Sequence, residues 1–368
     1  MPQRTYNSPI VRDHHRHHRG RRNRGGRQDY ERKKFSRKQA LVVVLTGSLL
    51  VMALFLLVMF SQLSLPPFVS PVQSQSPSIT SSTASPNPTI VPTATPIAQN
   101  QEAFANYALS LINTDRQQQG LQNVSLSSIN SGQLHAEEML KKGYFSHWDT
   151  NGYKPHMRYT LAGGQGAVAE NIAWQGLTGN IFGIDVKSTL KDMEWSMMYD
   201  DASSNWGHKD NILNPLHNKV SIGIAYDNHN VYFVQDFEDD YVTWNTLSVN
   251  SNQVTMQGTI QKQGFTIQSV SIFYDKPTSL TVTQLDNSPY NGGYGPGTYV
   301  GMALPQNWQA TGAITIPADN WSQNGVSFQI SFSLSQAIAA YGKGVYTLYV
   351  QTGPSTADSL TTYSVWIN

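Results

Sequence analysis

The sequence predicts an α+β protein: an α-β-α sandwich followed by an all-β sandwich, the pair preceded by one transmembrane helix. Three observations carry this reading. Residues 40–60 are apolar except for Thr46, Gly47 and Ser48, residues 101–240 combine helical periodicity with a hairpin pattern, and residues 241–368 contain short β-rich runs with no helical pattern.

The chain opens on a basic arm, residues 1–39, with thirteen Lys or Arg against Asp13, Asp29 and Glu31. The remainder then holds twelve of the 25 basic residues and 21 of the 24 acidic ones, so the formal net charge of +1 hides two opposite halves. No Lys, Arg, Asp or Glu occurs between Gln39 and Gln101. At a helical rise of about 1.5 Å per residue, the run 40–60 spans about 32 Å, enough for a bilayer's hydrocarbon. That length exceeds the apolar region of a signal peptide, and Leu63-Ser-Leu-Pro-Pro67 is a poor cleavage site, so a retained anchor is expected. Lys33, Lys34, Arg37 and Lys38 abut the run, which places the N-terminus in the cytoplasm and everything after Phe60 outside. His14-His-Arg-His-His18 and Arg19-Gly-Arg-Arg22 read as a solvated, disordered topology signal. No aromatic interleaving accompanies the charge, and no nucleic-acid partner is expected.

Residues 61–100 form a stalk, uncharged and rich in Pro, Ser, Thr and Gln, with eight of the chain's eighteen prolines after Leu65. Such a segment cannot bury a core and extends at most about 110 Å at a polyproline rise of about 3.1 Å per residue. Cysteine is absent, which removes thiolate ligands, cysteine nucleophiles and disulfides together.

In the first globular region, Phe104, Tyr107, Ala108, Leu111 and Ile112 recur at helical spacing, predicting a helix from Gln101 to Gln119 that stops at Gly120. A second helix is expected over Ser131–Lys142 with Gly143 as its C-cap, and a third from about Asp185 to Tyr199. Val220–Tyr226 and Asn230–Phe237 flank Asp227-Asn-His-Asn230 as a hairpin. Helices around a small antiparallel sheet give the α-β-α sandwich.

Three dispersed segments then carry the chemistry: Gly143-Tyr-Phe-Ser-His147, Ala169-Glu170-Asn-Ile-Ala-Trp174 and Gly207-His208-Lys-Asp-Asn-Ile-Leu-Asn-Pro215. Each sets a His or Glu beside glycine or small residues, as a shared polar pocket requires. Over roughly Ala103 to Glu238 their wording and spacing resemble the CAP superfamily, the cysteine-rich secretory, antigen-5 and pathogenesis-related-1 group also called the SCP domain. The resemblance implies that His147 and His208 are the two cavity histidines and that Glu170 is the glutamate of the family's Glu-Asn-Ile or Glu-Asn-Leu segment. It also implies a fourth carboxylate on the helix before the second histidine. The place three residues after Trp195 is Met198, so Glu194, on an inward stripe four residues from Leu190, is preferred to Asp200 or Asp201. The family's frequent disulfides are missing.

Two imidazoles with Glu170 and Glu194 are N and O ligands suited to zinc or another divalent cation. The leading expectation is an outward-facing, membrane-anchored binding module whose His/Glu pocket holds such a metal, a small ligand or a lipid. One alternative is a metal-assisted hydrolase of peptides or envelope polymers, with Glu170 as its candidate catalytic residue; no His-Glu-x-x-His helix or ordered triad accompanies it. The other is an adhesion or structural surface protein. Expected partners are the membrane through residues 40–60 and a lipid, glycan or surface protein. His135, His156, His217 and His229 read as surface or packing residues, and the pairs Asp200, Asp201 and Asp239, Asp240 as solvated.

Residues 241–368 contain the runs Val254–Ile260, Ser269–Tyr274, Leu280–Thr283, Ala313–Ile316, Val326–Phe332, Tyr346–Val350 and Thr362–Ile367. Val326, Phe328, Ile330 and Phe332 alternate with polar residues, giving one buried and one wet face. Seven runs at short intervals indicate an antiparallel sandwich, loosely like immunoglobulin or fibronectin modules. Tyr290-Asn-Gly-Gly-Tyr-Gly-Pro-Gly-Thr-Tyr299 is expected to be a long exposed turn with edge aromatics.

Overall fold

In this computed structural model, residues 4–6, 96–177 and 183–368 are described. The expected membrane span, most of the stalk and most of the basic arm lie outside them. Among the described residues no helix is long and apolar enough to cross a membrane.

The first globular region is built on a four-stranded sheet in the order β2-β4-β5-β3, from β2 (Ser125–Leu126), β3 (Ala167–Gly176), β4 (Lys219–Tyr226) and β5 (Asn230–Asp239). Only β2 and β4 run parallel. Strand alternation divides the sheet chemically. Val220, Ile222, Ile224, Val231, Phe233 and Phe237 face helices α1 (Pro96–Gln118) and α4 (Val186–Tyr199), where they pack on Ala108, Ile112, Leu190 and Met197. Ala225, Tyr232, Val234 and Ile172 face α2 (Ser131–Lys142) through Ala136 and Met139. Helix α2 lies unusually close: a Cβ on Gly223 would stand 2.0 Å from the Gly132 carbonyl oxygen, so glycine is required there.

Helix boundaries follow local chemistry. Asp185 caps α4 by accepting from the Lys187 and Ser188 amides. Gly143 ends α2 in the left-handed region at φ 73°, its N–H donating to the Met139 carbonyl. Helix α1 starts at Pro96, five residues before the expected boundary, and α3 (Pro155–Leu161), led by a proline, was not anticipated from periodicity.

The second region is a two-sheet sandwich. One sheet has the order β11-β9-β8-β14-β15, from β8 (Ser269–Asp275), β9 (Thr298–Leu304), β11 (Ile314–Pro317), β14 (Gly344–Gln351) and β15 (Ser359–Ile367). The other has the order β12-β13-β7-β6, from β6 (Val242–Asn250), β7 (Gln253–Ile260), β12 (Asn320–Asn324) and β13 (Ser327–Ser333). Phe328, Ile330 and Phe332 point into the core between the sheets, as the alternation predicts, whereas Val326, expected on the same face, precedes the strand and is exposed. The expected strand at Leu280–Thr283 is instead the lead-in to a one-turn helix, Val282–Leu285. Thr281 caps it with a box closed by Gln284, and Leu280 and Leu285 pack under α2.

The two regions belong to one compact unit. The sandwich covers the free edge of the first sheet: the Val168 amide donates to Thr362 Oγ1 at 3.3 Å, and the Thr362 amide to the Gly166 carbonyl at 3.1 Å. Lys154 and Asp275 add an ion pair of 2.7 Å between the regions. A short strand, Arg4–Tyr6, pairs in parallel with Trp308–Ala310 of the sandwich.

Candidate functional site

His147 lies in the loop that Gly143 turns out of α2. The loop is tied down on every side: His135 Nε2–H donates to the Ser146 carbonyl at 2.9 Å, Ser146 Oγ donates to the Tyr290 carbonyl at 2.6 Å, and Arg158 Nη1 to the His147 carbonyl at 2.7 Å. His135, read from sequence as a surface or packing residue, is therefore buried and holds the loop.

Glu170 sits on the edge strand β3, its side chain fully buried. His147 Nδ1–H donates to Oε1 at 2.8 Å, and Arg158 Nη2 donates to Oε2 at 2.5 Å. Both carboxylate oxygens are therefore engaged. Burial, with the Arg158 cation beside it, pushes the His147 imidazole down to about 3, so the ring is neutral at physiological pH. Burial raises the Glu170 carboxyl, while Arg158 pulls it back. Directly across the strand pair stands Asp236, pushed well above the usual carboxylate range by burial and by the facing Glu170. Ser131 Oγ donates to Asp236 Oδ2 at 2.5 Å. One guanidinium serves two facing carboxyls, and since it binds Glu170, Asp236 is the member that takes the proton first.

The second imidazole is positioned by a different carboxylate. Asp201 Oδ1 accepts from His208 Nδ1 at 2.7 Å, while Oδ2 accepts the His208 and Lys209 amides at the start of α5 (Gly207–Ile212). Asn171 joins this side to the sheet, donating from Nδ2 to the His208 carbonyl at 3.1 Å and to Gln235 Oε1 at 3.0 Å. Its Oδ1 accepts from Asn211, whose own Oδ1 meets His217 Nε2, and His217 Nδ1 pairs with Asp239 at 2.6 Å. The buried Arg116 clamps the end of this loop by donating to the carbonyls of Ile212, Asn214 and His217. Asp201 and Asp239, expected to be solvated, are both buried partners of histidines.

Glu194 does not join the site. Because β3 alternates, Glu170 faces α2 while Asn171 faces the opposite layer, and Glu194 is buried in that layer with Gln235 Nε2 donating to it. Burial pushes its carboxyl up to about 8, so it is neutral at physiological pH. Inward spacing on α4 is correct, but inward there means the far side of the sheet. Asp201 stands at the second histidine instead, and Asp200 is exposed at the helix end.

His147, Glu170 and His208 open on one cavity of about 540 Å³, walled also by Phe145, Asn211 and Tyr294. Tyr294 corrects the reading of residues 290–299 as an exposed turn: its ring lies 4.9 Å from the His147 ring, and its hydroxyl accepts the Glu170 amide at 2.9 Å. Among the described residues no cluster of three or more His, Cys, Asp or Glu is spaced to hold a metal ion. Each imidazole is oriented by a carboxylate at Nδ1, Glu170 for His147 and Asp201 for His208, so the Nε2 atoms are the ring nitrogens that remain to meet a ligand.

Residues 109–237 match the family model described as CAP, the Cysteine-rich secretory protein family. This chain carries a CAP domain. Among solved structures it is similar to an extracellular protein containing an SCP domain from Bacillus anthracis str. Ames, with 21% identity, a TM-score of 0.30, and coverage of 40% of this chain and 44% of that one. It is also similar to the CAP domain of Enterococcal PrgA, with 16% identity, a TM-score of 0.29, and coverage of 38% and 62%. The chain thus spans less than two thirds of either relative. No curated protein matches it. Within the CAP domain, sequence reasoning missed Arg158 and Asp236 and set Asp201 behind Glu194 as the fourth carboxylate, and beyond the domain it missed Tyr294. Only the proline opening α3 and the acidic pair before His208 signalled any of them locally.

Proposed function

We propose that the chain is an outward-facing CAP-domain binding module whose cavity takes a divalent cation such as zinc on His147 and His208. CAP domains are in general extracellular binding modules, and the observation that carries the finer reading is the pairing of two imidazoles with buried carboxylates, each at Nδ1. Such backing fixes the tautomer and presents Nε2 to a metal. A divalent ion bound there supplies open coordination positions for ligand oxygens.

Glu170 supports binding rather than hydrolysis, since His147 and Arg158 engage both its oxygens and leave no lone base for a water. A second observation favours an amphiphilic ligand over a purely polar one. The adjoining cleft shares Phe145, Ile172 and His208 with the cavity and continues past Trp174, Met193 and Met197. Outward orientation rests on the apolar run at 40–60 and its basic flank.

Titrating zinc into the full-length protein by calorimetry tests the reading. Stoichiometric uptake by the parent, lost on substituting His147→Ala and His208→Ala together, is the expected result. Uptake unchanged by the double substitution removes the cavity from the account.

A further inference from the structure

The cavity of the CAP domain is not closed by the CAP domain. Its outer side is formed by Asn291, Gly292, Gly293 and Tyr294, which belong to the segment between β8 and β9 of the sandwich. The segment is anchored at both ends of the His147 loop: the Phe145 amide donates to Asp286 Oδ1 at 3.0 Å, Ser146 Oγ to the Tyr290 carbonyl at 2.6 Å, and Trp148 meets the Tyr290 ring edge-on at 5.5 Å. Tyr294 then reaches inward. Its half-buried ring lies between His147, at 4.9 Å, and His156, at 6.5 Å, and its hydroxyl takes the Glu170 amide that the edge strand leaves unpaired.

The two glycines before Tyr294 have a different character. A Cβ built on Gly292 or Gly293 meets nothing within 4 Å, and neither residue has a positive φ. Neither close packing nor backbone conformation demands glycine there, so a side chain at either position would extend into open space at the rim.

We propose that residues 291–294 of the sandwich are the selectivity wall of the CAP cavity: Tyr294 is a positioning residue that covers His147 and pins the Glu170 strand, and the bare glycines keep the mouth open. The second domain is then part of the binding site, and the size of ligand reaching the imidazoles is set outside the CAP domain. The proposal rests on the binding-module reading for what the cavity is for, while the wall itself is a matter of access to His147.

Access is measured on the full-length protein with diethylpyrocarbonate, which acylates neutral imidazole nitrogen, by following modification of each histidine with peptide mass spectrometry near neutral pH. Exposed His229, on the β4–β5 turn, serves as the internal reference. Tyr294→Ala is expected to raise the His147 rate about tenfold and Gly293→Trp to lower it about tenfold, each equal to about 1.4 kcal/mol of barrier. Rates within about twofold of the parent in both variants overturn the proposal. If Tyr294→Ala does not fold, Gly293→Trp decides alone, because its new side chain starts in open space. No metal enters this measurement, so a failed zinc titration sinks the binding reading without touching the wall, and unchanged rates sink the wall without touching zinc uptake.

Discussion

Removing the Arg158 guanidinium unmasks the two carboxyls it serves. Its side chain is 10% exposed and that of Glu170 is 0% exposed, so little water replaces the lost cation. Arg158→Ala deletes the 2.5 Å contact to Glu170 and the donations to the His147 and Tyr153 carbonyls at 2.7 and 2.9 Å. Breaking a buried ion pair by removing one partner costs about 3–5 kcal/mol, and that is the expected deficit at neutral pH. Its pH dependence has a definite sign. Glu170 and Asp236 are already raised by burial, and without Arg158 both rise further. A carboxyl raised in the folded state contributes stability that is present below its unfolded value of about 4 and lost as pH climbs through its folded value. The deficit relative to the parent is therefore smaller near about pH 4.5, where only the two stranded carbonyls contribute, and larger by about pH 7.5, where the stranded charge adds to them, as urea midpoints at the two values would record. Adding Glu170→Gln to Arg158→Ala should recover part of the loss, since the stranded charge is gone. A deficit under about 1 kcal/mol, the same at both pH values and unrelieved by Glu170→Gln, refutes the reasoning.

Asp201→Asn keeps the shape behind His208 but loses its charge, and zinc affinity is expected to fall about 10–100-fold by calorimetry; an unchanged affinity denies Asp201 its orienting role. Glu194→Gln leaves zinc uptake unchanged. Because the parent carboxyl is raised to about 8, its contribution to stability disappears between about pH 4.5 and 8. The Gln variant therefore gains on the parent across that window in urea titrations, and a gap that does not change with pH counts against a buried neutral Glu194. Arg116→Ala strands three carbonyls that hold the α5 loop and should lower stability by about 3 kcal/mol or more, with zinc uptake weakened alongside. Trypsin applied to intact cells settles topology: a basic arm cut only after lysis supports the cytoplasmic placement, and an arm cut from outside supports the pairing of Arg4–Tyr6 with the sandwich.

Local signals in the sequence were read correctly where the cause was local. The bounds of α2, its glycine cap and the alternation of Phe328, Ile330 and Phe332 through β13 each depend on residues within a few positions of one another. His147, Glu170 and His208 were legible because short motifs carry them, and they do share one cavity. Glu194 misled because helical spacing reports only that a residue points inward; which sheet face it meets depends on the strand across from it. Strand β3 escaped notice because Glu170 and Asn171 break its apolar alternation, each satisfied by a partner on another element, Glu170 by Arg158 of α3 and Asn171 by Gln235 of β5. Tyr294 was invisible for the same reason at greater range: it meets Glu170 across 124 positions, and nothing in its glycine-rich surroundings distinguishes an inserted ring from an exposed one.

The most direct measurement is an anomalous difference map at the zinc edge from crystals of the full-length protein grown with zinc. The account predicts one peak in the cavity within coordination distance of His147 Nε2 and His208 Nε2, with Tyr294 over the first ring and Glu194 away from the metal. A zinc peak ligated elsewhere, with the two imidazoles turned from the cavity and no density between them, contradicts it.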